Sequence, residues 1–415
     1  MKVSNWLYGT LLLACLLVTM VFFGLAYQDH SALATTVNTL AADGEVISFT
    51  HEFHSALTSR AFCFAIFFSL LLLLNLFFLR RISAYLNMLY QQLKPFYSGW
   101  RKYRNSVFRE GSKFQVVLFA LILMLAIIAR GLLLNEPVIY DEAFTYNYYA
   151  TRPFYVVLSD YSYPNNHILH TLLVKCSTGI FGLNHYSLRL PAFLASIWGL
   201  YICYPIFNRI LKNRNASLIA LSIISFSGVL IEYGVLARGY SLILLFTLLS
   251  IGFAYEFVCT NKKIALVGLV ISTVLGFYTI PTMLYSSMLV FGWALWLYWR
   301  DKGRFSSGMV LGGILSAAFT ILLYSPVIAA SGLKVLYAHP LFEQHSLTTL
   351  SESLYSKATY FFRYYTPGIG VGIIPPLVLL SFLGFWKNKT LRLMTLMVLV
   401  LVPAILIQAI IPPVQ

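Results

Sequence analysis

Apolar runs of about 20 residues, the length that crosses a bilayer, recur along this chain with short polar breaks between them. They fall at 6–27, 60–79, 114–134, 188–208, 216–234, 239–259, 264–280, 282–300, 305–328, 369–386 and 391–412. The pattern predicts an all-α polytopic membrane protein with about eleven transmembrane helices. The first run follows Lys2 and precedes Ala32-Leu33-Ala34, as a signal peptide would. Its apolar core is longer than the roughly 7–15 residues of a secretory h-region, so it reads as an uncleaved anchor.

The largest central interruption of the apolar pattern is 138–192. It opens on Asp141-Glu142, passes through Tyr163-Pro164-Asn165-Asn166-His167-Ile168-Leu169-His170, and re-enters apolar sequence at Arg189-Leu190-Pro191. Within it, 167–183 is apolar enough to suggest another span. Counting it would invert every later loop, so it reads as an interfacial helix inside the outer loop, where protein can satisfy its backbone.

Charge fixes that choice. Arg80, Arg81, Lys94, Arg101, Lys102, Arg104, Arg109 and Lys113 share the connection 80–113 with a single acid, Glu110. Basic connections stay on the cytoplasmic side. Alternation from there puts Arg209/Lys212/Arg214, Lys262/Lys263, Lys302/Arg304 and Lys387/Lys389/Arg392 on the same side. The acids gather on the other, at Asp29, Asp43, Glu45, Glu52, Glu136, Asp141, Glu142, Asp160, Glu343 and Glu352. The connection 80–113, with Tyr, Phe and Trp among its bases, reads as a surface helix on anionic lipid.

Over 415 residues the chain is 59% hydrophobic and 10% charged, against roughly 25% charged in soluble domains. The net charge of +15 sits in the connections between apolar runs, so it reports topology and not a nucleic-acid partner. The five cysteines stand singly in apolar sequence, without a C-x-x-C pair, and suggest neither a disulfide framework nor a zinc site.

The chemistry therefore belongs to the outer side. Asp141 and Glu142 are carboxylates at the membrane face, suited to general-base work. Asn165 or Asn166 can cap the following helix. His167 and His170, three apart on one helix face, suit polar substrate contacts, capping or a divalent metal, with no third ligand fixed. Arg238, in Glu232-Tyr233-Gly234-Val235-Leu236-Ala237-Arg238-Gly239-Tyr240, is a cation at membrane depth and needs an anionic partner. Glu232 is one candidate and a lipid phosphate, matched by the guanidinium fork, is the other. Arg189 and Lys175 are further cations on this side, and Arg363-Tyr364-Tyr365 is a cation-and-aromatic cluster in the last outer loop.

This ordered set resembles the GT-C glycosyltransferases of the protein O-mannosyltransferase and lipid A aminoarabinose transferase superfamily. The resemblance rests on Asp141-Glu142-Ala143 after a spanning helix, Pro164 to Leu169, Phe181-Gly182, Arg189-Leu190-Pro191-Ala192 and Leu236-Ala237-Arg238-Gly239-Tyr240-Ser241. It divides the chain into two extra helices and a basic connection (1–113), a catalytic membrane core (114–330), and an outer loop with two last helices (331–415). Where some relatives carry Lys-Pro-Pro, this chain has Pro164-Asn165-Asn166-His167.

The resemblance implies an inverting transfer of a sugar from a polyprenyl-phosphate donor to a lipid, glycan or protein acceptor, by a multi-pass protein of the inner (plasma) membrane with its site on the extracytoplasmic face. It assigns catalysis to Asp141 and Glu142, and donor phosphate to Arg238, Arg189 and Tyr240. Substrate contacts fall to Asn165, Asn166, His167 and His170, with a divalent metal at the two histidines left open. The alternatives are a transporter or lipid-linked-sugar flippase, whose polar groups would lie at mid-membrane on broken helices, and a non-catalytic scaffold.

Overall fold

The computed structural model describes residues 2–39 and 49–336, and among them every regular element is helical. The expected spans 369–386 and 391–412, and the Arg363-Tyr364-Tyr365 cluster, lie outside the described residues. In chain order the α-helices are α1 (Lys2–Ala26), α2 (His30–Thr39), α3 (His51–Phe77), α4 (Leu79–Arg109) and α5 (Lys113–Leu132). The outer connection then supplies α6 (Tyr140–Phe144), a π-helical turn (Thr145–Ala150), α7 (Phe154–Ser159) and α8 (Ile168–Phe181). There follow α9 (His185–Leu211), α10 (Arg214–Phe226), α11 (Gly228–Glu232), α12 (Tyr240–Thr260) and α13 (Lys263–Thr279). The last are α14 (Met283–Lys302), α15 (Ser307–Leu323) and α16 (Ser325–Ser331).

Five helical segments are long and apolar enough to cross a membrane: Tyr8–Ala26, His51–Phe77, Lys113–Asn135, His185–Leu211 and Tyr240–Thr260. A sixth exists if α15 and α16, which meet at a 51° bend, form one broken span. This is the architecture of an all-α multi-pass membrane protein, with fewer full-length spans among the described residues than the apolar runs suggested. The run 216–234 breaks at Ser227, between α10 and α11, and the run 264–280 yields a helix of only 17 residues. At 1.5 Å per residue that helix is about 25 Å long, short of the roughly 30 Å hydrocarbon layer.

The segment 167–183, expected to be an interfacial helix, forms α8. Its 14 residues extend about 21 Å, too short to span, and Gly182 stops it in the left-handed region at φ 72°, where a side chain would be strained. It lies against α9, burying His170, Thr171, Val174 and Ser177.

The basic connections come together at one end of the bundle. The Tyr103 hydroxyl of α4 donates to Pro205 O at 3.3 Å and accepts from Asn208 at 3.0 Å, while Arg209 lies 4.9 Å from its ring. Ile264 N donates to Gln92, Lys263 sits over Tyr85, and Arg214 pairs with Glu110 at 3.5 Å. The other ends of α9, α12 and α13 meet the connection 136–183. Helices α1 and α3 pack through Phe22 stacked on Phe64 and Phe68. Arg60 of α3 then reaches the Ala329 and Ala330 carbonyls of α16.

Candidate functional site

At the end opposite the basic connections, the two adjacent acids part company. Successive helical residues diverge by about 100°, so on the short helix α6 Asp141 and Glu142 point to different sides.

Glu142 is fully buried and accepts four N–H groups: Arg189 Nε (2.9 Å), Arg189 Nη2 (2.7 Å), Ala237 N (2.6 Å) and Ile139 N (3.1 Å). Burial pushes its carboxyl up, but these hydrogen bonds and the Arg189 charge outweigh burial and hold it below its ordinary value. Arg189, equally buried, gives its remaining donors to the carbonyls of Leu133, Leu134, Glu136 and Pro137 at 2.9–3.2 Å. The expected roles of both residues therefore change. Arg189 has no N–H left for a phosphate, and Glu142 has no lone pair directed at a substrate. Together they pin α6 to the end of α5 and to the backbone at Ala237.

That pin places Arg238 beside Asp141. Its Nη2 lies 3.6 Å from Asp141 Oδ2, which gives this arginine an anionic partner in Asp141. The Arg238 side chain is 7% exposed and that of Asp141 32%. Arg238 Nε and Nη1 are buried with no hydrogen-bond partner among the described residues. Unpartnered guanidinium N–H groups are costly in a dry site, and their chemistry suits an anion. Asp141 Oδ1 accepts from Asn165 Nδ2 at 3.1 Å, which fixes the rotamer of the acid. Tyr240, 39% exposed, has its ring 5.8 Å from the Arg238 guanidinium and edge-on to His167 at 5.4 Å.

The Asn-His segment lies behind these two residues. Gly239 N donates to His167 Nδ1 at 2.9 Å, which leaves the proton of this neutral imidazole on Nε2. The approach is close enough to require glycine, since a Cβ at 239 would come within 2.5 Å of Thr279 Cγ2. Both ring nitrogens of His170 are buried and unpartnered among the described residues. Burial, then the charge of Arg238, pushes His170 down to about 3, and the same two causes, with His170 added, hold His167 well below its usual range. Both are neutral near neutral pH.

Neither asparagine caps α8 as expected. Its N-cap is His167, without a side-chain bond, whereas Asn166 ties Val157 O and Asp160 O at 2.9 and 2.8 Å. No group of three or more His, Cys, Asp or Glu residues suited to a metal occurs among the described residues, so His167 and His170 lack a third ligand. Lys175 is likewise used up, donating to Ala150 O and Arg152 O.

One contributor escaped sequence reasoning. Arg130, on α5, is fully buried and donates to Ser196 Oγ (2.8 Å), Ser225 O (3.0 Å) and Leu230 O (3.2 Å). It satisfies the backbone where α10 breaks and so shapes the turn that carries Arg238. A lone arginine in an otherwise apolar run was the available signal.

A cavity of about 460 Å³ opens on the far side of Arg189, walled by Leu133, Pro137, Ile139, Val229 and Leu236; Asp141 is not among its walls. No protein-family model matches the chain, and no curated protein matches it.

Proposed function

We propose that this chain is a membrane glycosyltransferase that moves a sugar from a polyprenyl-phosphate donor to an acceptor hydroxyl. The observation that carries the reading is the pairing of a half-buried carboxylate, Asp141, with a buried arginine holding two unpartnered nitrogens. The order of motifs along the sequence adds to it.

In this mechanism the donor phosphate takes the free Nε and Nη1 edge of Arg238, and Tyr240 lines the same approach. Recruiting Arg238 to the phosphate releases Asp141 Oδ2 from its ion pair. The acceptor hydroxyl gives its proton to that oxygen as its own oxygen attacks the anomeric carbon from the face opposite the phosphate. The C1–O bond to phosphate breaks with its electron pair, configuration inverts, and Arg238 stabilises the charge that grows on the departing polyprenyl phosphate. The leaving group is already an anion, so no general acid is needed.

The test is transfer from a labelled polyprenyl-phosphate sugar in proteoliposomes carrying the full chain. Asp141→Asn is expected to lose about 10²–10⁴-fold in rate. Near-full transfer by that variant refutes Asp141 as the base, and transbilayer movement of the lipid-linked sugar without transfer supports a flippase instead.

A further inference from the structure

The helix α4 is unused by this mechanism, and its surface is divided three ways. One side packs on the bundle, with Val107 buried and Phe96, Trp100, Tyr103 and Phe108 set against the core. A second carries exposed Tyr90, Leu93 and Tyr97. A third holds exposed Arg80, Lys94, Arg101, Lys102 and Arg109, and no acid occurs anywhere in Leu79–Arg109. Residues 90, 94, 97 and 101 follow helical spacing, so the exposed aromatics adjoin the bases along one edge.

Two membrane-crossing helices bracket this element. α3 ends at Phe77 and α5 begins at Lys113, so α4, about 46 Å of helix, joins two segments long and apolar enough to span, at the end where the basic connections meet. A helix in the corner between a bundle and a bilayer has one face on protein, one on the acyl boundary and one among headgroups, which matches the three faces of α4. An acidic soluble partner would account for the bases but not for the adjoining Tyr90-Leu93-Tyr97 edge.

We propose that α4 is a binding surface for anionic phospholipid headgroups of the leaflet at this end, seating phosphates on Lys94, Arg101, Lys102 and Arg109 with Tyr90 and Tyr97 at the glycerol level. Because Tyr103 and Gln92 of the same helix hold the ends of α9 and α13, lipid bound here stabilises the whole bundle. The inference is independent of any transferase activity.

The experiment reconstitutes the full chain in nanodiscs of phosphatidylcholine alone or mixed with phosphatidylglycerol. It reads the thermal midpoint and, by native mass spectrometry, which phospholipid stays bound. Each base near an anionic surface contributes about five-fold, the equivalent of about 1 kcal/mol. The wild-type chain is expected to retain phosphatidylglycerol preferentially, to melt higher in its presence, and to lose both effects as salt is raised. The quadruple variant K94Q/R101Q/K102Q/R109Q should lose at least five-fold of the preference, whereas K94R/R101K/K102R/R109K keeps it. A wild-type chain without lipid preference, or a glutamine variant that retains it, overturns the proposal. If the glutamine variant does not fold, the salt series and the charge-conserving variant decide: a preference insensitive to salt, or lost in the charge-conserving variant, is fatal to it.

Discussion

Replacing Glu142 by Gln isolates the pin from the chemistry. The substitution keeps shape and removes charge. Each carboxylate oxygen accepts two N–H groups, Oε1 from Arg189 Nε and Ala237 N, Oε2 from Arg189 Nη2 and Ile139 N. Whichever way the amide turns, its NH₂ meets two donors, and Arg189 is left a buried cation without a counter-charge. Breaking one side of a buried pair costs about 3–5 kcal/mol, a large part of the roughly 5–15 kcal/mol that separates native from unfolded proteins. Removing Arg189 as well, in an apolar double replacement, is not expected to restore stability, because it orphans the Leu134 and Pro137 carbonyls.

Asp141→Asn is the contrasting change. That pair is 3.6 Å long and a third open on the acid side, so water already screens the acid, and its loss should cost less than that of the Glu142–Arg189 pair even with Arg238 buried. Thermal unfolding of the full chain in one detergent should therefore show a clearly larger drop for Glu142→Gln than for Asp141→Asn, with transfer lost in both. pH adds a second reading. The carboxyl of Glu142 titrates below its ordinary 4.5 in the folded chain, so its stabilisation is complete above about 4.5 and disappears as pH falls through the folded value. The Gln variant should lack that acid step. Equal midpoints for wild type and Glu142→Gln, or an unchanged acid limb, would refute the reasoning.

Other outcomes follow from the same geometry. Arg238→Ala should cut transfer by about 10²–10³-fold, the usual loss for one charge-stabilising group, and Arg238→Lys should recover only part of it because the fork is lost. Gly239→Ala should misplace Arg238 and lower both yield and transfer, and Thr279→Ser, which removes the clashing Cγ2, should restore much of both. His170 is held at about 3 against an ordinary 6.5. The unfolded chain therefore takes up this proton first, and stability should fall as pH drops from about 6.5 towards 3. His170→Gln should flatten that slope in a denaturation series, with His167 retaining the rest.

Much of this arrangement was legible in the sequence. The alternating charge of the connections argued against a span at 167–183, where α8 is 14 residues long, and membrane depth singled out Arg238 and its need for an anion. The division of labour between Asp141 and Glu142 was not legible, because it depends on which way two neighbouring side chains turn on a five-residue helix. Arg189 read as an available cation for a related reason: sequence shows its charge but not the four carbonyls around it. Among the described residues the apolar runs outnumber the full-length spans because a run registers as continuous even where Ser227 breaks α10 from α11, with Arg130 satisfying the exposed backbone.

The Asp-Glu step has one more consequence. On a single-turn helix, one residue of roll is about 100°, enough to bring Glu142 round to where Asp141 stands. Arg189 forbids that roll, because it holds Glu142 and the carbonyls of Leu133, Leu134, Glu136 and Pro137 with one planar fork. The site thus has its angular setting fixed from behind, by a residue that never faces the solvent, and α6 is a keyed axle with one permitted orientation.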